Sequence, residues 1–83
     1  MDYDRQKVDE SVLGLLYLNL HDGGAGTSRA WKGFDWEALD RLHQRGLIAN
    51  PRNKAKSVLL TADGVEACKV AFDRLFGNER VDP

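Results

Sequence analysis

Cysteine and long apolar runs are scarce in this chain, and each scarcity excludes a class of protein. A single cysteine, Cys68, rules out an internal disulfide and the common zinc sites built from several cysteines. The longest unbroken apolar run, residues 15–18, is far shorter than a membrane-spanning helix. The start of the chain is acidic and polar rather than apolar like a secretory signal, so we expect a soluble, cytoplasmic protein.

The overall composition is that of one small globular domain. Of the 83 residues, 42% are hydrophobic and 30% are charged, which is too apolar for a disordered chain. A chain of this length buries only about 60–65% of its unfolded surface, so its stability would gain from association with a second copy. We expect residues 1–77 to form a single domain and residues 78–83 to form a disordered tail.

Charge is distributed unevenly along the chain, although the net charge is only −1. Residues 1–40 carry a net charge of −4, residues 41–61 a net charge of +5, and residues 62–83 a net charge of −2. The middle segment has no acidic side chain, and its five basic ones are Arg41, Arg45, Arg52, Lys54 and Lys56. A local basic patch on an otherwise acidic protein indicates a surface that binds a negatively charged partner.

The first half of the chain predicts one helix followed by less regular structure. The helix is expected from about Asp4 to Leu20, and its apolar stripe is wider than contact with one core requires. Either two of its faces pack inside the domain or one face pairs with a second copy, and so small a core favours the homodimer. Residues 21–28, with three glycines, are expected to form a flexible loop, and residues 29–34 a short strand or an extended arm.

The second half of the chain predicts a helix, a β-hairpin and a last helix. Asp35 is a natural N-cap for the second helix, and Gly46 is suited to end it in the left-handed conformation. Residues 47–49 and 57–60 are expected to pair as antiparallel strands around a projecting, mobile turn, the wing (residues 50–56). Thr61 is expected to cap the last helix. The residues expected on the buried side of that helix are Val65, Cys68, Phe72, Leu75 and Phe76.

Two short motifs in this order of elements resemble a winged helix-turn-helix domain. Residues 42–48 follow the pattern L-x-x-x-G-L-I and residues 60–64 the pattern L-T-x-x-G, on either side of the basic wing. This arrangement is similar to the wing half of transcriptional regulators of the multiple-antibiotic-resistance and phenolic-acid-responsive types. The whole chain, with the Trp-rich residues 31–36, also resembles a family of short bacterial proteins of unknown function. The resemblance implies a mainly α fold in the order helix, extended arm or short strand, helix, β-hairpin wing, helix.

The resemblance to these regulators implies binding to double-stranded DNA by the wing and the second helix, the recognition helix. Candidate groove contacts are Arg41, Gln44 and Arg45, and candidate phosphate contacts are Arg52, Lys54 and Lys56. The chain departs from the regulators because residues 21–34 show no helical pattern ahead of the recognition helix. The first turns of that helix also carry carboxylates that repel phosphate, namely Asp35, Glu37 and Asp40.

A protein-interaction module without DNA binding is the alternative, with Trp31 as the candidate partner contact. In that reading the wing charges keep a hairpin tip soluble or meet an acidic protein surface. Trp36 is expected in the core, and for Trp31 the core and an interface are about equally expected. We expect no catalysis, cofactor, metal or small-molecule substrate, because no nucleophile–base pair, carboxylate pair or nucleotide-binding motif is readable. Cys68 is expected to be buried and unreactive.

Overall fold

A computed structural model describes residues 2–77, and the tail expected at residues 78–83 lies outside the described residues. Within them the elements follow in the order α1 (Arg5–Leu18), β1 (His21–Gly24), β2 (Thr27–Trp31), α2 (Trp36–Gln44), β3 (Ser57–Leu60) and α3 (Ala62–Phe76). These helices and a three-stranded antiparallel sheet form a small mixed domain with a winged-helix-like layout. The predicted fold class is confirmed in these terms.

Local capping residues mark the ends of the helices, and the caps predicted at Asp35, Thr61 and Gly46 are found. Asp4, Asp35 and Thr61 each accept a hydrogen bond from the backbone N–H three residues later, which satisfies a donor that the first turn leaves free. Gly46 follows α2 with a φ of 77°, the left-handed conformation expected of it. Gly64 is buried in the first turn of α3, where any Cβ would collide with the carbonyl oxygen of Leu47.

The hairpin of β1 and β2 corrects the expectation of a flexible loop over residues 21–28. The two strands pair in antiparallel register with His21 opposite Arg29. In the turn, Gly24 and Gly26 have φ values of 89° and 78°, a conformation that glycine adopts without strain, and Ala25 between them has a φ of 53°. The glycines therefore form the turn that allows pairing, whereas we expected them to prevent it. The short strand expected within residues 29–34 is confirmed as the end of β2.

The partner of β3 differs from the one expected. β3 pairs along its length with β2, from Ser28 opposite Leu60 to Trp31 opposite Ser57. The strand expected at residues 47–49 is reduced to a single bridge between Ile48 and Leu60. Pairing on that side stops early because Pro51, three residues after the bridge, has no N–H to donate to a ladder.

α1 packs mainly against α3 and also contacts α2 and β2, so its wide apolar stripe is used on two sides within the domain. Two leucines of α1 stay outside this packing, Leu15 at 37% exposed and Leu18 at 64% exposed. Largest among the fully buried core side chains are Leu16, Leu39, Leu42, Ile48, Val58 and Cys68.

The last turn of α3 is more open than the sequence suggests. Leu75 and Phe76 are exposed, although both were expected on the buried side of the helix. Both lie near Gly14 of α1, where an added Cβ would be 3.0 Å from Cε2 of Phe76 and 3.6 Å from Cδ1 of Leu75.

Candidate nucleic-acid interface

The wing is held on the body of the protein by the side chain of Lys32, which directly follows β2. Its Nζ donates hydrogen bonds to the carbonyl oxygen of Pro51 at 2.7 Å, to the carbonyl oxygen of Asn53 at 3.2 Å and to Oδ1 of Asn53 at 2.9 Å. Lys32 is only 9% exposed. A buried ammonium group needs an acceptor for each of its three protons, and here the wing supplies all of them.

Two asparagines give the wing its internal shape. Oδ1 of Asn50 accepts from the backbone N–H of Arg52 at 2.9 Å, and Oδ1 of Asn53 accepts from the backbone N–H of Ala55 at 2.9 Å. Nδ2 of Asn53 donates back to the carbonyl oxygen of Asn50 at 3.0 Å. Such bonds to nearby backbone are the reason that Asn stabilises turns. The backbone of the wing is therefore a hydrogen-bonded turn, which corrects the expectation of a mobile one.

The start of α2 meets the wing at Trp36, whose ring lies near two cations. The guanidinium carbon of Arg52 is 5.5 Å from the centre of the ring, and Nζ of Lys32 is 5.9 Å from it. Both distances fall within the range of a cation–π interaction. Trp36 is 47% exposed, which corrects the expectation that it lies in the core. Its ring is on the wing side of α2, while Ala38, Leu39 and Leu42 form the buried side.

One of the carboxylates that the sequence places in the recognition helix is neutralised by the wing. Nε and Nη2 of Arg52 donate to the two oxygens of Asp40 at 3.1 and 2.6 Å. The hydrogen bond from Arg52 holds the pKa of Asp40 below its ordinary value, and the same bond raises the pKa of Arg52. Both groups stay charged at neutral pH, so the pair contributes little net charge to the surface.

Arg41 turns toward α1 and away from the wing. Its Nε donates to both oxygens of Asp9 at 3.0 and 2.8 Å, and its Nη2 donates to one of them at 2.7 Å. The carboxylate of Asp9 is almost fully buried, and the hydrogen bonds to it raise the pKa of Arg41. This two-pronged ion pair connects α2 to α1.

The other basic candidates separate into two locations. Gln44 and Arg45 are exposed at the end of α2, and Arg45 also lines a groove between α1 and α3 beside Asp4 and Asp9. Lys54 and Lys56 are exposed in the wing, and neither forms an ion pair with a carboxylate of residues 2–77. The wing lysines are thus candidate cations whose charge no carboxylate of residues 2–77 compensates.

Trp31 lies at the wing end of the sheet and is 54% exposed. Its ring packs against the ring of His21, with 4.8 Å between the two ring centres. The other side of the ring is open to solvent.

In the described part of the chain, the cysteine is buried and the residue types that bind metals do not cluster. Cys68 is fully buried, and burial raises the pKa of its thiol to about 11, which disfavours the reactive thiolate. Among residues 2–77, no three His, Cys, Asp or Glu side chains come together as metal ligands would. None of the helices in those residues has the length and apolar character needed to cross a membrane.

Comparison with known proteins gives a family and a relative. The model of a family described as "Domain of unknown function (DUF6429)" matches residues 4–78. The uncharacterized protein y4hR of Sinorhizobium fredii (strain NBRC 101917 / NGR234) is 50% identical over 76 residues, which cover 92% of this chain and 97% of that protein. No solved structure matches the chain. These findings confirm the predicted resemblance to a family of short bacterial proteins of unknown function.

Proposed function

The chain belongs to the family of domains of unknown function DUF6429, and we propose that it binds double-stranded DNA through the wing and the exposed side of α2. The observation that carries this proposal is the pair of exposed ammonium groups of Lys54 and Lys56, unpaired within the described residues, on a wing that Arg52 joins to α2. Cations in such a position attract the phosphates of a duplex, and this attraction supplies most of the affinity of a small DNA-binding domain.

The wing also removes an obstacle to DNA binding. A free carboxylate at Asp40 would repel phosphate, but its two hydrogen bonds from Arg52 neutralise it within the protein. In this proposal Arg52 neutralises the charge of Asp40 and packs on the ring of Trp36. It can also contact phosphate itself.

The candidates on α2 have different parts in the proposal. Gln44 is exposed at the end of the helix, and its amide can both donate to and accept from a base edge. Arg45 is exposed beside it and is free to reach a phosphate from the α1 side of the helix. Arg41 connects α2 to α1 through its ion pair with Asp9, and a contact with DNA would require it to break that pair.

The test is a fluorescence anisotropy titration of a mixed-sequence duplex at low salt. We expect the wild type to bind and the Lys54→Ala/Lys56→Ala variant to bind at least tenfold more weakly. The matched control is Lys7→Ala/Lys69→Ala, which removes the same charge from exposed positions on α1 and α3. The absence of binding by the wild type, or equal losses in the two variants, would contradict the proposal.

We also propose that two copies pair through the end of α1 and the last turn of α3. Leu15 and Leu18 are exposed next to Gly14, which is in contact range of the exposed Leu75 and Phe76. Adjacent apolar side chains of this kind gain free energy when a second copy covers them. Sedimentation equilibrium tests this: Leu18→Asp should give monomers and Ala25→Asp, in the β1–β2 turn, should leave the dimer intact. A monomeric wild type at high protein concentration would overturn it.

A protein-interaction module is the second candidate function, favoured by the exposed ring of Trp31 and the exposed carboxylate of Glu37. An exposed tryptophan is a frequent centre of binding energy in protein interfaces. Under this candidate the wild type would show no DNA affinity even at low salt, and Trp31→Ala would weaken binding to a protein partner. Measurable binding to duplex DNA that depends on the wing lysines would exclude it as the main function.

A further inference from the structure

The outer face of the sheet combines an exposed aromatic ring with a fixed cation. Side chains alternate between the two faces of a strand, and Ala30 is fully buried against the helices. Its neighbours Arg29 and Trp31 therefore project from the opposite face, together with His21, which is paired with Arg29 across the hairpin. We call these three residues the Trp31 face.

The ring of Trp31 is supported from the side by the hairpin. The ring of His21 lies at 4.8 Å between centres and is tilted by 32°. His21 is itself fixed, since its Nδ1 lies 2.9 Å from the carbonyl oxygen of Asn19. One side of the indole is thus occupied, while more than half of the residue's surface is open to a ligand.

Arg29 is held flat along the sheet. Its Nε donates to Oγ of Ser57 at 2.7 Å, and its Nη2 donates to the carbonyl oxygen of Ser57 at 2.9 Å. Gly23 leaves room for its side chain, because a Cβ there would lie 2.6 Å from Cγ of Arg29. Arg29 pairs with neutral oxygens only, and no carboxylate of residues 2–77 forms an ion pair with it.

The Trp31 face continues into the basic wing. Trp31 is opposite Ser57 in the β2–β3 ladder, and Ser57 directly follows Lys56. Among the exposed large apolar side chains of the described residues, Trp31 is the one that the sheet contributes. An exposed ring on the same face as the guanidinium of Arg29 suits a nucleotide, whose base stacks on the ring while its phosphate is neutralised.

We propose that the Trp31 face stacks an unpaired nucleobase, so that the preferred ligand is a duplex with an adjoining single strand. The proposal rests on the proposed function in one respect: the wing lysines hold the duplex from which the single strand continues. Arg29 then meets the phosphate of the stacked nucleotide, and the indole of Trp31 covers its base.

The experiment compares three ligands by fluorescence anisotropy at one salt concentration: a blunt duplex, the same duplex with a short single-stranded overhang, and the single strand alone. One stacked base should make the overhang duplex bind on the order of 5- to 150-fold tighter than the blunt duplex. The Trp31→Ala variant should bind both duplexes equally, and Trp31→Phe should retain part of the preference. Val70→Ala, at an equally exposed position on α3, should retain all of it.

The outcomes separate this proposal from the proposed function. Equal affinity of the wild type for blunt and overhang duplexes would overturn the stacking of an unpaired base, while duplex binding through the wing would stand. In that case the exposed ring of Trp31 would favour a contact with a protein partner. Binding to the overhang duplex and the single strand without any affinity for the blunt duplex would support stacking and contradict the proposed function. Failure of all three ligands to bind would overturn both.

Discussion

At the scale of single residues, Lys32 connects the end of β2 to the whole of the wing. No carboxylate of residues 2–77 pairs with its ammonium group, and its protons are taken by oxygens of Pro51 and Asn53. Burial of a long basic side chain is unfavourable unless each donor is satisfied, so the conformation of the wing and the burial of Lys32 depend on each other.

The Lys32→Met variant keeps the apolar stem and removes the donors, which leaves the wing oxygens without a partner. We expect the free energy of unfolding to fall by about 1–3 kcal/mol, the cost of an unsatisfied buried group. The amide of Ala55, now bonded to Oδ1 of Asn53, should also exchange faster with solvent. Urea denaturation and hydrogen exchange measure the two effects. Unchanged exchange in the wing, with Lys69→Met as the control, would contradict this role.

The raised pKa of the Cys68 thiol predicts that the protein loses stability at alkaline pH. Burial raises its pKa from an ordinary 9.0 to about 11, so between these values the folded protein keeps a proton that the unfolded chain releases. The contribution of the neutral thiol to the free energy of unfolding is therefore complete below pH 9 and is lost as the pH rises through 11. Thermal melts between pH 8 and 11 should show this fall in the wild type and a smaller one in Cys68→Ala. Parallel curves for the two proteins would be inconsistent with a buried neutral thiol.

At the scale of elements, the sequence predicts best what local chemistry decides. Helix starts at Asp35 and Thr61 and the left-handed end at Gly46 depend on residues within one turn, and all three are found as expected. The β2–β3 pairing joins residues about 30 positions apart, such as Arg29 and Leu59, and no local pattern in the glycine-rich segment indicates it. The site follows the same rule: the exposed wing lysines were predictable, whereas the pairing of Arg41 with Asp9, 32 positions away, was not.

The proposed function predicts that one substitution in α2 raises the affinity for duplex DNA. Glu37 is exposed in the first turn of α2, on the helix that the proposed function presents to DNA. Because its carboxylate repels phosphate, Glu37→Gln should tighten duplex binding several-fold, while Glu66→Gln on α3 should have no effect. Anisotropy titrations of the two variants make the comparison. Weaker binding by Glu37→Gln would mean that α2 does not face the duplex.

At the scale of the whole molecule, the net charge is negative and the charge of the wing is positive. The chain carries a net charge of −1, yet the wing and the adjoining sheet present Arg29, Lys54 and Lys56 without carboxylate partners among the described residues. Of the carboxylates on α2, Asp40 is paired with Arg52, whereas Glu37 is exposed. An acidic protein can therefore present one surface that attracts nucleic acid and others that repel it, which orients the bound domain.

The most direct test of this account is the salt dependence of duplex binding. Each phosphate contact contributes about −0.9 to the slope of log K against log salt concentration, so three to five contacts per subunit predict a slope of roughly −3 to −4.5. Removal of the ammonium groups of Lys54 and Lys56 should make that slope shallower by about 1.8, and removal of those of Lys7 and Lys69 should leave it unchanged. A wild type that does not bind at low salt, or a slope that the wing variant leaves unaltered, would contradict the central claim.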